Sequence, residues 1–251
     1  MNTTDIDAAI AAYNSRGARF NPKAALIDMD GVLYDSMKYH ALSWHKMMAE
    51  VGLNLDPDEF YYYEGMTGRH TIDLIFRREF HRPATAEEMT ELYKRKTELF
   101  VECGKKEMMP GADRMLATLR KRGIRCVLVT GSGQASLLDS IAHDYPGIFL
   151  PGDVVTAHDV TCGKPDPEPY LRGLAKAGVQ PHEAMVIENA PLGVKAGHGA
   201  GCFTVAVATG PIPMADLTAA GADIVFESMP KFAEMLEASP QLSPSGEGAG
   251  Y

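Results

Sequence analysis

Read for its apolar and polar positions, the chain separates into short solid apolar runs and longer periodic ones. The runs at Ala24–Ile27, Arg125–Thr130, Val154–Val155, Ala184–Ile187 and Phe203–Val207 show no helical period. Such runs are predicted to be strands covered on both faces, as in a parallel sheet. Between them apolar residues recur at helical spacing. Helices are expected up to Arg122 with a stop at Gly123, over Ser132–His143, from Pro169 to Ala177 and over Pro191–Ala200. Residues 221–226 read as a last edge strand and Met229–Ala238 as a closing helix.

One block departs from this alternation. After Ser36, the positions Met37, His40, Ala41, Trp44, Met47, Met48 and Val51 fall on one helical face and end at Gly52. Helical segments follow at Asp58–Tyr63, Thr71–Phe80 and Thr85–Val101, with no convincing strand among them. An α/β unit normally returns to the sheet after a single helix, so 36–103 is expected to be a separate helical cap domain. The core domain is then 24–35 with 104–238. Residues 1–23 form a helical extension carrying Ile6, Ala9, Ile10 and Tyr13 on one face. The tail from Ser239 to Tyr251, rich in serine, glycine and proline, is expected to be disordered.

Composition narrows the function. With 251 residues, 45% of them hydrophobic, the chain can bury a substantial core. A formal net charge of −9 opposes a polyanion surface, so nucleic acid is not an expected partner. No 18-residue apolar run suggests a membrane span, and no leader-like segment opens the chain. Four dispersed cysteines without a C-x-x-C fit neither zinc nor a disulfide framework, so a reducing cytoplasm is expected.

The chemistry lies where apolar runs end. Residues just after parallel strands share one sheet edge. Those positions hold Asp28 and Asp30, then Thr130, Gly131 and Ser132, then Lys164, then Glu188 and Asn189. Together they offer carboxylates, a hydroxyl with a glycine-rich turn, an ammonium and an acid-amide pair, which is what phosphoryl transfer requires. Mg²⁺ prefers oxygen ligands, and Asp28, the Asp30 carbonyl, Glu188 and Asn189 could supply them. Thr130 and the amides of Gly131 and Ser132 could cradle phosphate oxygens. Each stretch alone has a plainer explanation: a surface lysine, a capped helix start with Pro191 in its first turn, a strand-end turn. Only their occurrence at successive strand ends raises them above it. Neither a dinucleotide turn nor a P-loop is present in full.

Asp28-Met29-Asp30-Gly31-Val32-Leu33-Tyr34-Asp35-Ser36, Thr130 after Val127-Leu128-Val129, Lys164-Pro165-Asp166-Pro167-Glu168-Pro169-Tyr170 and Glu188-Asn189-Ala190-Pro191-Leu192-Gly193 resemble the four motifs of the haloacid dehalogenase superfamily. The β-phosphoglucomutase-like branch is the most similar. The resemblance implies a Rossmann-like parallel-sheet core, an inserted all-helical cap, Mg²⁺ and an aspartyl-phosphate intermediate. Carried onto these positions, Asp28 is the nucleophile and Asp30 the general acid and base. Thr130 and Lys164 stabilise the transferring group; Asp28, Asp30, Glu188 and Asn189 hold the metal. Glu64, Gly131, Ser132 and His40 are candidate substrate-binding residues.

Two positions depart from the sugar mutases that this branch contains. Asn189 stands where an acidic residue is usual, and the cap offers Glu64 and Gly68 where a lysine and an arginine hold a second phosphate. A carboxylate there repels such a phosphate. In both respects the chain resembles a Bacteroides-type branch that hydrolyses inorganic pyrophosphate. Pyrophosphate is therefore the favoured substrate. A β-phosphoglucomutase or sugar-phosphate phosphatase, and a catalytically silent interaction module of the same fold, stay open as alternatives.

Overall fold

The computed structural model describes residues 3–103, 107–133, 135–150 and 152–244. In chain order, α1 (Thr3–Asn14) precedes the first strand, β1 (Ala24–Ile27). Helices α2 (Met37–Glu50), α3 (Gly68–Glu79) and α4 (Ala86–Cys103) follow, with a 3₁₀ turn at Pro57–Tyr61. The chain then runs α5 (Ala112–Lys121), β2 (Arg125–Val129), α6 (Ala135–Asp144), β3 (Val154–Val155) and α7 (Glu168–Ala177). It closes with β4 (Ala184–Glu188), α8 (Pro191–Gly199), β5 (Phe203–Val207), α9 (Met214–Ala219), β6 (Ile224–Phe226) and α10 (Met229–Ala238).

The six strands form one parallel sheet in the order β3-β2-β1-β4-β5-β6. β1 sits between β2 and β4, with Ala24 opposite Arg125 on one side and Ala184 on the other. Period-two alternation divides each strand between two apolar layers. Ala25, Ile27, Leu128, Met185 and Ile187 join one layer, covered by α1, α5 and α10 through residues such as Ile6, Leu116 and Phe232. Ala24, Leu26, Val127, Val129 and Val186 join the other, which packs on Tyr170, Leu174 and Ala196 of α7 and α8. Both faces being covered is why the strands read as unbroken apolar runs.

The cap is built on its own apolar cluster of Trp44, Met47, Met48, Phe60, Ile72, Ile75, Phe76 and Leu99. It lies on the core rather than beside it. Tyr61 packs against both the cap cluster and the small cluster around Ile212 and Leu217, and the Tyr62 hydroxyl donates to Asp216 at 3.0 Å. Among the described residues, no helix is long and apolar enough to cross a membrane.

Three local readings change. Helix α6 begins at Ala135, not Ser132, because Thr130 turns the chain by accepting from the Ser132 amide at 3.0 Å. The final strand is shorter than 221–226: Gly221 takes a positive φ of 106° and the Asp223 carboxylate accepts from the Thr204 amide, so the ladder starts only at Ile224. Helix α9, six residues between Pro213 and Ala220, is too short for its periodicity to stand out.

The tail also needs correcting. Its first residues are ordered: Pro240–Leu242 form a 3₁₀ turn, Leu242 is fully buried in the α1 layer, and Arg122 donates to the carbonyls of Leu236 and Ser239. One leucine at the end of a polar stretch carries that anchoring. Residues 245–251 lie outside the described residues. Truncating a buried leucine costs about 2–5 kcal/mol. Leu242→Ala should therefore lower the unfolding free energy measured by urea titration by an amount in that range, and an unchanged midpoint would mean the segment is not anchored.

Candidate active site

The strand order reverses between β1 and β4, and the residues that end these two strands face each other across that crevice, where open α/β sheets bind ligands. Asp28 prolongs β1 by donating its amide to the Ile187 carbonyl at 3.0 Å. Glu188 is the last residue of β4. Between them stands Lys164, brought in by the loop that precedes α7 and only 1% exposed. Its ammonium donates to Asp28 Oδ1 at 2.5 Å, Glu188 Oε1 at 2.6 Å and the Val129 carbonyl at 3.2 Å. An ammonium has three protons, and all three are placed. Burial alone would push the Lys164 pKa down; the charges of Asp28 and Glu188 and their hydrogen bonds hold it above its ordinary value.

Glu188 is saturated. Its Oε1 also accepts from the Tyr170 hydroxyl at 2.7 Å, and its Oε2 accepts from the amides of Asn189 and Ala190 at 3.0 and 3.3 Å. With four donors on its two oxygens, this carboxylate orients Lys164 and caps the start of α8.

Asp30 has a separate set of partners. Its Oδ1 accepts from the Ser36 hydroxyl at 2.6 Å and pairs with His40 Nε2 at 3.1 Å. His40 in turn meets the buried Lys96 ammonium at 2.6 Å through Nδ1 and stacks on Phe100 at 4.2 Å between centroids. Burial would raise the Asp30 pKa, but the His40 charge and the hydrogen bonds from His40 and Ser36 outweigh it and hold it at about 2. Burial pushes Lys96 down to about 8, against the pull of Asp30. Both ring nitrogens of His40 are thus engaged by protein, so the structure uses it to hold Asp30 rather than to present a bare nitrogen to substrate.

The cap contributes Glu64. Its Oε2 accepts from Asn189 Nδ2 at 3.0 Å, joining cap to core. The contact needs close backbone approach at two points. Gly65 has a φ of 87°, and a Cβ there would stand 2.7 Å from Lys164 Cδ; a Cβ on Gly31 would stand 2.0 Å from Asn189 Nδ2. Neither position accommodates a larger residue without displacing a site side chain.

Glu64 Oε1 and Asn189 Oδ1 are enclosed and have no hydrogen-bond partner. Two orphaned acceptor oxygens beside Asp28 are costly unless a cation meets them. The charge balance agrees. Burial, and then the Glu188 and Asp30 charges working against Lys164, push the Asp28 carboxyl up to about 8. Burial and the neighbouring carboxylates Asp28, Glu188 and Asp30 raise Glu64 well above its ordinary range. Among the described residues no three carboxylate, imidazole or thiol side chains form a metal cluster by themselves. The donor set here is mixed, two carboxylates and an amide oxygen with the Asp30 carbonyl in reach of the same loop, which fits a hard cation that keeps some of its waters.

One cavity of about 70 Å³ gathers most of the expected residues: Asp28, Asp30, His40, Glu64, Thr130, Gly131 and Ser132 line it. Lys164, Glu188 and Asn189 lie against these through the bonds above. Ser36, Lys96 and Tyr170 escape sequence reasoning. Only Lys96 leaves a trace there, as a charge on the same helical face as Tyr93 and Phe100.

A six-stranded parallel sheet with an inserted helical cap and carboxylates at its switch point defines a capped, Rossmann-like α/β core. Residues 22–201 match the family model of the haloacid dehalogenase-like hydrolases, and the chain belongs to that family. Among curated relatives it is similar to the beta-phosphoglucomutase of Bacillus subtilis, with 28% identity over 78% of this chain and 88% of the relative. It is also similar to hexitol phosphatase A of Escherichia coli, with 33% identity over 74% of this chain and 82% of the relative. Among solved structures, the "Putative beta-phosphoglucomutase from Bacteroides vulgatus" superposes with a TM-score of 0.90 and is 48% identical, over 94% of this chain and 98% of that one.

Metal-free stability should report the crowding of carboxylates. The Asp28 pKa is raised from 3.8 to about 8 in the folded chain, so the stability linked to its protonation is full below about pH 4 and lost as pH rises toward 8. In EDTA, the melting temperature of Asp28→Asn relative to that of the natural chain should therefore rise from pH 5 to pH 8, and Mg²⁺ should reduce that rise. A margin independent of pH would contradict this assignment.

Proposed function

We propose that the chain is a Mg²⁺-dependent phosphohydrolase acting through an aspartyl-phosphate on Asp28, with inorganic pyrophosphate as its substrate. The reading rests above all on Glu64, a cap carboxylate directed into the reacting cavity. A sugar mutase needs a cation there for a second phosphate, and a carboxylate disfavours one. The cavity of about 70 Å³ points the same way, toward a compact substrate.

Asp28, Asn189, the Asp30 carbonyl and Glu64 are the groups that would hold Mg²⁺. Bound there, the ion would supply positive charge for the phosphoryl oxygens. Lys164 fixes Asp28 through Oδ1, so the carboxylate presents its other oxygen to phosphorus. A bond forms from that oxygen to phosphorus as the bridging P–O bond breaks, and phosphate departs with the electron pair. Thr130, fixed by the Ser132 amide, holds the equatorial oxygens with the amide of Gly131. Asp30 then takes a proton from the water that attacks the aspartyl-phosphate, releasing a second phosphate and restoring Asp28.

The leaving group also favours pyrophosphate. His40 and Ser36 hold Asp30 toward its carboxylate form. A sugar alkoxide must be protonated as it leaves, whereas phosphate is acidic enough to leave without a full proton transfer. A sugar-phosphate phosphatase is the second reading, favoured by the named activities of the relatives in Bacillus subtilis and Escherichia coli.

Phosphate release from pyrophosphate, hexose phosphates, nucleotides and an aryl phosphate, each with Mg²⁺, separates the readings. Pyrophosphate should give the highest kcat/KM, and efficient interconversion of β-glucose 1-phosphate and glucose 6-phosphate would overturn the proposal. Asp28→Asn should abolish turnover, because the isosteric amide is a far weaker nucleophile. Asp30→Asn should lose about 10²–10⁴ in kcat. Glu64→Ala should depress pyrophosphate hydrolysis much more than aryl phosphate hydrolysis, since a lid contact helps only the complex it closes upon. Equal losses on both substrates would remove Glu64 from substrate selection.

A further inference from the structure

The cap wall of the cavity has one position where a side chain is missing and another side chain takes its place. Gly68, the first residue of α3, lines the cavity, and so does Tyr93 from the middle of α4. A Cβ built on Gly68 would stand 2.0 and 2.1 Å from two carbons of the Tyr93 ring. The ring therefore lies directly on the Gly68 backbone, in the volume that any other residue at 68 would fill. Trp44 backs it, with 6.4 Å between ring centroids. Tyr93, Lys96 and Phe100 follow one another at i, i+3 and i+7 along α4, so the helix face that delivers Lys96 to His40 also delivers this ring.

Taken with the small cavity, the geometry points to Tyr93 as a specificity-determining residue: we propose that its ring, seated on Gly68, closes the cap side of the site to sugar-sized leaving groups and leaves room for a compact phosphate. The inference deepens the pyrophosphatase reading and rests on it for the identity of the small substrate. A rigid aromatic wall discriminates by excluded volume. It neither touches the reacting atoms nor changes the charge of Asp28 or Asp30.

The test is the ratio of kcat/KM for glucose 6-phosphate to kcat/KM for pyrophosphate, each measured by phosphate release with Mg²⁺. Tyr93→Ala should raise the ratio about tenfold or more, mainly through a lower KM for the hexose phosphate. Tyr93→Phe, which keeps the ring, should leave it within about twofold of wild type. Should the alanine variant not fold, Tyr93→Leu, which withdraws the ring but keeps an apolar contact with Trp44, takes its place with the same expected direction. A thermal melt provides a second readout: Gly68→Ala should melt below wild type, and adding Tyr93→Ala should recover the loss. An unchanged ratio on removing the ring, an equal shift in Tyr93→Phe, or a Gly68→Ala defect that persists without the ring would each overturn the proposal. Wild type preferring hexose phosphate would instead overturn the substrate reading, while the change in ratio would still report on the wall.

Discussion

A single buried ammonium organises this molecule. Lys164 binds the ends of three neighbouring strands at once, β1 through Asp28, β2 through the Val129 carbonyl and β4 through Glu188. Removing charges from water is expensive, and deleting one partner of a buried pair typically costs about 3–5 kcal/mol. The arrangement holds because Lys164 has all its protons placed and Glu188 all its lone pairs occupied. Tyr170 and the first amides of α8 complete that set. The sheet order makes it possible, since the reversal between β1 and β4 brings two acidic strand ends within reach of one loop lysine.

One ammonium does not balance the site. Among the described residues, Asp28 and Glu188 pair with Lys164 at the sheet edge, His40 and Lys96 serve Asp30 from the cap side, and Glu64 meets the Asn189 amide. Burial, together with the neighbouring carboxylates, raises the Asp28 and Glu64 carboxyls, and two orphaned oxygens stand on either side of the cap-core seam. Because Glu64 belongs to the cap and Asn189 to the core, a cation meeting both oxygens would favour cap closure as well as relieving repulsion. Closure and chemistry would then share one electrostatic cause. Further contacts of the cap with the core, at Tyr61 and Tyr62, act through packing and one hydroxyl given to the Asp216 carboxylate.

Much of this is legible in the sequence, because parallel strands bury both faces and announce themselves as solid apolar runs whose ends collect the chemistry. Asp28, Asp30, Thr130 and Lys164 could be found that way, and the structure brings them to one edge. The partners that tune them could not. Ser36 and Tyr170 are residue types that usually cap or pack. Lys96 acts on Asp30 through its charge and through His40, from which it stands 56 positions away in sequence. Glu188 shows the limit most clearly: its strand-end position is plain in the sequence, but the four donors around it, from Lys164, Tyr170 and two amides, are not. Leu242 shows the converse, since one buried side chain orders a segment whose composition reads as disorder.

The central claim is that carboxylates from the core and the cap converge on one cation site. Calorimetric titration of Mg²⁺ into the natural chain and into Glu64→Gln, at the same pH and ionic strength, tests it most directly. The two side chains are nearly isosteric and differ by the charge in question. If the cap carboxylate meets the ion, affinity should fall about 10- to 100-fold in the variant, the range found when a group supporting a metal site is lost. Identical affinities would contradict the claim and leave Glu64 a cap residue that touches Asn189 and nothing more.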